Sequence, residues 1–515
     1  MFRREDLGLA SGILFTDQYQ LTMAQLYFRQ GLHEREAQFD HFFRKTPDYG
    51  THRAGYCVNA GLEWLVSWMR EARFGEREIE LLRSQRGGGE QPLFSEDFLS
   101  WLRKNGNFEG ISLRSVPEGR VVYPTVPLAV IQGPLAMAQV LETALLNKLN
   151  YHILVATKAS LVREMCGDRL AVEFGARRAQ DLGALAAARA ALIGGMDFTS
   201  NSGISLALGY PPKGTHAHSM VQLFMALGMS ELEAFRSFAE VYPDDCILLV
   251  DTLDTLQSGV PNAITVLREL KAQGHRPVGI RLDSGDLTTL SIRASEMLDR
   301  AGLEEVSIVL SNELDEWRIH NIIERIKREA PGMGVEPDRV IGRLSYGVGT
   351  RLVTSAGEAA LGGVYKLTAV RHHGGWTPAI KISESREKVP NPGDKDAWRV
   401  YDRSGTAMGD LMGLRGENPE EHRDELVLCH PVDGTEVQAA CSELEPLLEQ
   451  VLDRGRLVYR FPSLEEIRER RKADLQRLPR RYRKLENPAP YPVHLTTRLR
   501  DLKEDMISSI RNSTG

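Results

Sequence analysis

Seven short polar motifs recur through the middle of this chain, most of them where a run of β-branched and apolar residues gives way to a helix-like stretch. They are Phe174-Gly-Ala-Arg-Arg178, Thr199-Ser-Asn-Ser-Gly203, Gly214-Thr-His-Ala-His-Ser219, Asp251-Thr-Leu-Asp-Thr255, Arg281-Leu-Asp-Ser-Gly-Asp286, Ser311-Asn-Glu-Leu-Asp-Glu316 and Gly347-Val-Gly-Thr350. Their spacing mostly falls near the length of one strand plus one helix, so a parallel sheet or barrel would carry all of them to its carboxyl edge. Folds of that kind place their chemistry there.

Between the motifs, residues 171–174, 247–250, 278–281 and 306–310 are short apolar runs of the sort that doubly covered parallel strands require. The clearest intervening helix sets Leu287, Leu290, Ala294, Met297, Leu298 and Ala301 on one face and stops near Gly302. The alternation predicts an α/β fold: an irregular TIM-like α/β barrel over residues 136–363. Residues 1–135 mix short strands and helices, with a helix over 61–73, a break at Gly87-Gly-Gly-Glu-Gln-Pro92, and strands at 119–124 and 128–132. After Gly363 the alternation ends, and residues 364–367, 379–382 and 398–401 read as strands returning to the amino-terminal part. Residues 1–135 and 364–515 are thus expected to form a discontinuous mixed α/β outer domain. Near the end, Ser463-Leu-Glu-Glu466 is a capping box that opens a helix of interleaved Arg and Glu, read as a solvated face.

A chain of 515 residues has room for such a division. Apolar residues at 42% and charged residues at 26% exclude general disorder and a fibrous architecture. A formal charge of −6 gives no global pull toward nucleic acid, so any anion site must be local. The five cysteines, Cys57, Cys166, Cys246, Cys429 and Cys441, form no C-x-x-C pair, which points away from zinc and disulfides and toward a reducing compartment. Arg3, Arg4, Glu5 and Asp6 precede a short apolar stretch that lacks a small-residue cleavage site, a poor secretory signal. No uncharged run reaches membrane-spanning length. A cytoplasmic protein is expected.

The motif residues themselves suit a phosphorylated sugar better than an apolar ligand. Gly347 and Gly349 let backbone N–H groups turn toward an anion, and the loops after the last barrel strands are a common phosphate site. Arg281 and Asp283 are two apart at a strand end, so their side chains point to one side of the sheet. The carboxylate can accept from ribose hydroxyls or hold magnesium through water, and the guanidinium can neutralise an acidic ligand. A structural ion pair is the competing explanation, weakened by Asp251 and Asp254 at the neighbouring strand end. Phe174 beside Arg177 and Arg178 pairs an aromatic face with donors for a planar anion or a pyrophosphate. His218 stands at a helix start, where backbone donors can hold a phosphoryl group delivered to its ring. Spacing alone does not exclude His216.

Taken together with Thr16-Asp-Gln-Tyr-Gln-Leu-Thr-Met23, Phe39-Asp-His-Phe-Phe-Arg-Lys45, Gly133-Pro-Leu135, Leu141-Glu-Thr143, Ala156-Thr-Lys158, Tyr365-Lys-Leu367 and Lys381-Ile-Ser-Glu384, these motifs resemble the nicotinate phosphoribosyltransferase family from about residue 16 to beyond residue 490. That family is similar in fold to the type II phosphoribosyltransferases. The resemblance implies an enzyme that joins nicotinate to phosphoribosyl pyrophosphate, giving nicotinate mononucleotide and pyrophosphate in salvage toward NAD. ATP hydrolysis would be coupled to the reaction, formally making it a C–N ligase.

The resemblance further implies that His218 is transiently phosphorylated by ATP, that Tyr19 and Phe174 stack on the pyridine ring, and that Arg281 faces the nicotinate carboxylate. Asp251 and Asp283 would serve ribose and Mg²⁺, and Arg177 the phosphoribosyl pyrophosphate. Ser311, Asn312, Gly347, Gly349 and Thr350 would hold the 5′-phosphate, and Arg44, Lys45 and Lys381 would be outer basic contacts. Tyr19 and Arg44 would come from the second subunit of a homodimer with shared sites. The sequence departs from the family pattern at Glu173, where aspartate is common, at Leu253, where tyrosine is common, and at Asn391-Pro-Gly-Asp394, which replaces a more basic turn. The rival readings are a nicotinamide phosphoribosyltransferase, whose pocket needs a partner for a neutral amide; a quinolinate phosphoribosyltransferase, which needs cations for a second carboxylate; and a catalytically silent relative that binds nucleotide.

Overall fold

The computed structural model describes residues 4–514; Arg3, one of the charges in the amino-terminal reading, lies outside them. Two compact units divide the chain. The first comprises residues up to Asp48, Arg53–Leu154, and the chain from Ala360 onward; the second comprises Tyr49–His52 and Val155–Ala359. The division falls inside the long Glu142–Cys166 helix. No helix among the described residues is long and apolar enough to cross a membrane.

The second unit is built on six parallel strands, in the spatial order Phe198–Thr199, Ala171–Glu173, Leu344–Val348, Ser307–Leu310, Gly279–Leu282, Ile247–Leu249. The apolar runs form these strands because both faces are covered: all five residues of Leu344–Val348 are buried. Helices fill the connections, as α/β alternation demands. Leu287–Arg300 is one, started by Asp286, whose carboxylate accepts from the Thr288 N–H at 3.3 Å. The Phe198 and Ile247 strands stand at the two ends of this order, and among the described residues no strand pairing joins them. Val340 and Ile341 are the buried face of the Pro337–Gly342 helix, and the strand that follows begins at Leu344 and carries Gly347 within it.

The first unit contains a seven-stranded antiparallel sheet in which Glu36–Phe43 lies between Gly363–His372 and Ala129–Pro134. Its apolar face packs with the Leu62–Glu71 and Glu96–Asn105 helices into one core that includes Phe43, Leu65, Phe98, Leu102 and Ile131. The return at 364–367 therefore forms as expected. Residues 379–382 do not form a strand: the strand is Gly375–Pro378, and Pro378, with no N–H to continue the ladder, ends it. Residues 398–401 belong to the Lys395–Tyr401 strand, which joins a separate six-stranded sheet and not the one holding Glu36–Phe43. Ser463 caps the Leu464–Arg477 helix with the expected box to Glu466.

Candidate active site

Arg281 lies next to the end of the Gly279–Leu282 strand with its guanidinium spread among three partners. Nε donates to Ser311 Oγ at 2.9 Å, Nη1 to Thr215 Oγ1 at 3.0 Å and Nη2 to Asp283 Oδ1 at 3.0 Å. The group also lies 5.4 Å from the centre of the Phe174 ring. The same-side pairing inferred from the spacing of Arg281 and Asp283 is present, yet the ion pair does not exhaust the arginine. A guanidinium has five N–H donors, and these bonds leave one on each terminal nitrogen uncommitted to the three partners. A fork of that kind matches a carboxylate.

One strand away, Asp251 Oδ2 accepts from the Asp283 N–H at 3.1 Å and from Ser284 Oγ at 2.5 Å. Its Oδ1 is buried without a hydrogen-bond partner and lies 3.7 Å from His218 Nε2. Asp254, grouped with these charges from the sequence, is spent elsewhere: exposed, it caps the Thr255–Gly259 turn by accepting from Leu256 and Gln257 N–H groups at 3.0 and 2.7 Å. The charged group is therefore Arg281, Asp283 and Asp251. No set of three or more His, Cys, Asp or Glu side chains among the described residues forms a metal cage. Two carboxylates, one with a free buried oxygen, do fit a magnesium ion that keeps water and substrate oxygens as its other ligands.

His218 is the first residue of the His218–Ala226 helix, with its side chain 37% exposed and Nδ1 3.1 Å from Thr252 Oγ1. His216 is different. It is buried, and its Nε2 accepts from the Leu249 N–H at 3.0 Å, so one ring nitrogen is used up holding the loop to the Ile247–Leu249 strand. Burial, with Arg281 and His218 nearby, takes its pKa down to about 4. The structure thus separates two histidines that spacing could not.

Phe174 follows the Ala171–Glu173 strand and lies against Gly347, where a Cβ would stand 2.2 Å from the ring. Gly349 approaches the Phe174 carbonyl similarly, at 3.2 Å for a Cβ, and precedes the Thr350–Val353 helix. Glu173, noted only as a departure, is buried beneath this turn; it accepts from Thr199 Oγ1 at 2.6 Å and from the Gly175 N–H, and burial raises its pKa. Across from the glycines, Ser311 Oγ reaches Asp283, and Asn312 and Glu313 both take positive φ, +85° and +52°. Two successive residues there cost strain, which the surroundings must hold. Arg177 and Arg178 are exposed in a one-turn helix after Phe174. Contacts thus link His218, Asp251, Asp283, Arg281, Ser311, Phe174 and Gly347 into one group.

Tyr19, Arg44, Lys45 and Lys381 lie in the first unit. Tyr19 is 50% exposed in the Gln18–Arg29 helix, whose start is tied down by Asp17 to Thr143 and Gln20 to Glu142. Arg44 and Lys381 both act on Lys366, whose pKa burial and these two cations lower. Arg44 also lines a cavity of about 220 Å³ with Lys388, Lys395, Arg386 and Lys503. Basic groups therefore gather near Arg44 despite the weakly basic turn at 391–394. Sequence reading missed Lys366, Lys388 and Lys503 here, and Thr215 and Thr252 in the second unit. The Tyr365-Lys-Leu367 motif was the available signal for Lys366.

Two family models match the chain: the nicotinate phosphoribosyltransferase (NAPRTase) N-terminal domain over residues 14–150 and the nicotinate phosphoribosyltransferase C-terminal domain over residues 394–503. The nicotinate phosphoribosyltransferase of Bacillus subtilis is 38% identical over 489 residues, covering 94% of this chain and 92% of its own. The crystal structure of human nicotinic acid phosphoribosyltransferase superposes with a TM-score of 0.78 at 31% identity, over 95% of this chain and 99% of that one. The nicotinate-nucleotide pyrophosphorylase of Pyrococcus furiosus, at 19% identity and a TM-score of 0.65 over 93% of this chain and 97% of its own, shares the fold.

Proposed function

Because the chain belongs to the nicotinate phosphoribosyltransferase family, we propose that it joins nicotinate to phosphoribosyl pyrophosphate, releasing pyrophosphate and nicotinate mononucleotide. The observation that carries this reading is the placement of Arg281. Braced by Ser311, Thr215 and Asp283 and set over Phe174, it keeps an N–H on each terminal nitrogen for a planar ligand's carboxylate. A neutral amide would bring no negative charge to those two N–H groups. The same difference favours nicotinate over nicotinamide.

In this reading the pyridine nitrogen attacks the anomeric carbon with its own lone pair as the bond to pyrophosphate breaks, so no general base is required. Arg281 and Phe174 fix the ring, which converts an encounter of two reactants into a held geometry. Ser311, Asn312, Gly347, Gly349 and Thr350 grip the 5′-phosphate, and Asp251 and Asp283 take ribose hydroxyls. Magnesium, held by Asp251 and Asp283 through water, would supply charge stabilisation for the departing pyrophosphate. Arg177 meets that same diphosphate.

ATP coupling is assigned to His218. Its ring is exposed at a helix start and steadied by Thr252, while His216 is sequestered. The phosphorylated ring would shift binding and equilibrium, a coupling role distinct from bond formation at the sugar. A homodimer would supply Tyr19 and Arg44 to a neighbour's site, with Lys45 and Lys381 as further outer cations. All five cysteines are buried and stand outside any disulfide, which supports a reducing, cytoplasmic setting for this salvage step toward NAD. The test is to incubate the purified protein with phosphoribosyl pyrophosphate, magnesium and either nicotinate or nicotinamide, with and without ATP. Nicotinate mononucleotide should form and ATP should raise its yield; consumption of nicotinamide with nicotinate ignored would overturn the assignment.

A further inference from the structure

Lys158 and Glu316 form an ion pair sealed inside the second unit, Nζ to Oε1 at 2.7 Å, with side chains 1% and 0% exposed. His52 Nε2 meets the same oxygen at 2.7 Å, and Thr51 Oγ1 lies 2.9 Å from His52 Nδ1. A carboxylate has no proton to give, so Nε2 carries the hydrogen and the Thr51 hydroxyl can donate to Nδ1. The Trp317 indole stacks on the His52 ring at 5.5 Å and 9°. The Lys158 ammonium lies 3.7 Å from the Tyr49 ring centre and donates to the Ala356 carbonyl at 3.3 Å. Gly357, at φ +103°, lets Tyr49 approach: a Cβ there would stand 2.8 Å from Tyr49 Cα. Four segments far apart in the chain therefore gather around one ion pair.

Stability alone does not account for this arrangement. A buried ion pair gains little over well-packed apolar residues, and Glu316 Oε2 is buried without a hydrogen-bond partner. Its position in the fold is more telling. Glu316 directly follows the 311–315 loop with its two positive-φ residues. Asp315, next to it, caps the Glu316–Glu329 helix by accepting from the Arg318 N–H at 2.8 Å and takes Arg351 Nε at 2.7 Å, one residue beyond Thr350. Both halves of the cradle, 311–315 and 349–351, are thus fastened immediately beside the sealed pair. Strained loops persist only where neighbours over-determine them.

We propose that Lys158, Glu316 and His52 are positioning residues that hold these two loops at the separation a sugar phosphate requires, an inference that rests on reading the loops as the phosphate grip. None of the three touches substrate; each acts through the loops. Removing the pair should loosen binding of the phosphorylated substrate while leaving the ring pocket and the chemical step intact.

The test uses the full chain and compares wild type with the double variant Lys158→Met/Glu316→Gln, which removes both charges together and strands neither. Thermal midpoint, kcat and KM for each substrate are read in parallel. The double variant should melt cooperatively, with KM for phosphoribosyl pyrophosphate up about tenfold and kcat and nicotinate KM within about twofold, the pattern of lost uniform binding. His52→Gln, which keeps an N–H for Glu316, should stay near wild type, whereas His52→Leu should raise the same KM. A folded double variant with unchanged phosphoribosyl pyrophosphate KM overturns the proposal. If the double variant does not fold, equal KM values for His52→Gln and His52→Leu overturn it. Thr350→Val separates the two layers: a raised KM there with none in the double variant sinks the positioning role alone, and no change in Thr350→Val sinks the grip reading and the proposal with it.

Discussion

Asp251 turns one buried carboxylate oxygen toward His218, 3.7 Å from Nε2, while its other oxygen is occupied by the Asp283 N–H and the Ser284 hydroxyl. The histidine assigned to ATP coupling is therefore joined through one side chain to the carboxylate assigned to ribose. Loss of the His218 ring would remove the proposed phosphoryl acceptor and leave the proposed sugar site standing. For His218→Ala, ATP hydrolysis and phosphoenzyme should disappear while slow, ATP-independent product formation persists. An unchanged ATPase rate would take His218 out of this role.

His216 makes a pH prediction. Burial holds its folded-state pKa near 4, below the ordinary 6.5, so the unfolded chain binds the extra proton first as pH falls. Its contribution to stability is complete above about pH 6.5 and is lost as pH drops toward about 4. His216→Gln keeps an acceptor for the Leu249 N–H but does not titrate. Thermal midpoints measured from pH 7 downward should fall less steeply across that window in the variant. Parallel slopes would contradict the neutral, buried assignment.

Gly347 is a packing prediction. The Phe174 ring occupies the place of a Cβ, at 2.2 Å, so Gly347→Ala must push the ring out of line with Arg281. Overpacking of this kind costs about 1–3 kcal/mol. Nicotinate KM should rise about tenfold or more, because the ring platform is displaced. A nicotinate KM that stays at the wild-type value in the folded variant would argue against Phe174 as the platform.

Much of the second unit was legible because its signals are local. Apolar runs of strand length, the one-sided apolar face from Leu287 to Ala301, and the two-residue spacing of Arg281 and Asp283 each follow from short-range geometry, and each recurs in the structure. What escaped depended on partners remote in sequence. Asp254 looks like a member of the charged group until the Thr255–Gly259 turn claims its oxygen. Thr215 and Thr252 lie within their motifs, but their roles become visible only through the remote groups they brace, Arg281 and His218. The buried pair of Lys158 and Glu316 joins residues 158 positions apart, beyond any periodic pattern.

The central claim is that Arg281 chooses the substrate by its charge, and the most direct measurement is the ratio of kcat/KM for nicotinate to that for nicotinamide in wild type and in Arg281→Gln. Glutamine can still donate an N–H but cannot neutralise a carboxylate. The ratio should favour nicotinate strongly in wild type and collapse by about a hundredfold or more in the variant, the scale of a lost charge-assisted pair of about 3 kcal/mol. A ratio that survives the substitution would contradict the account.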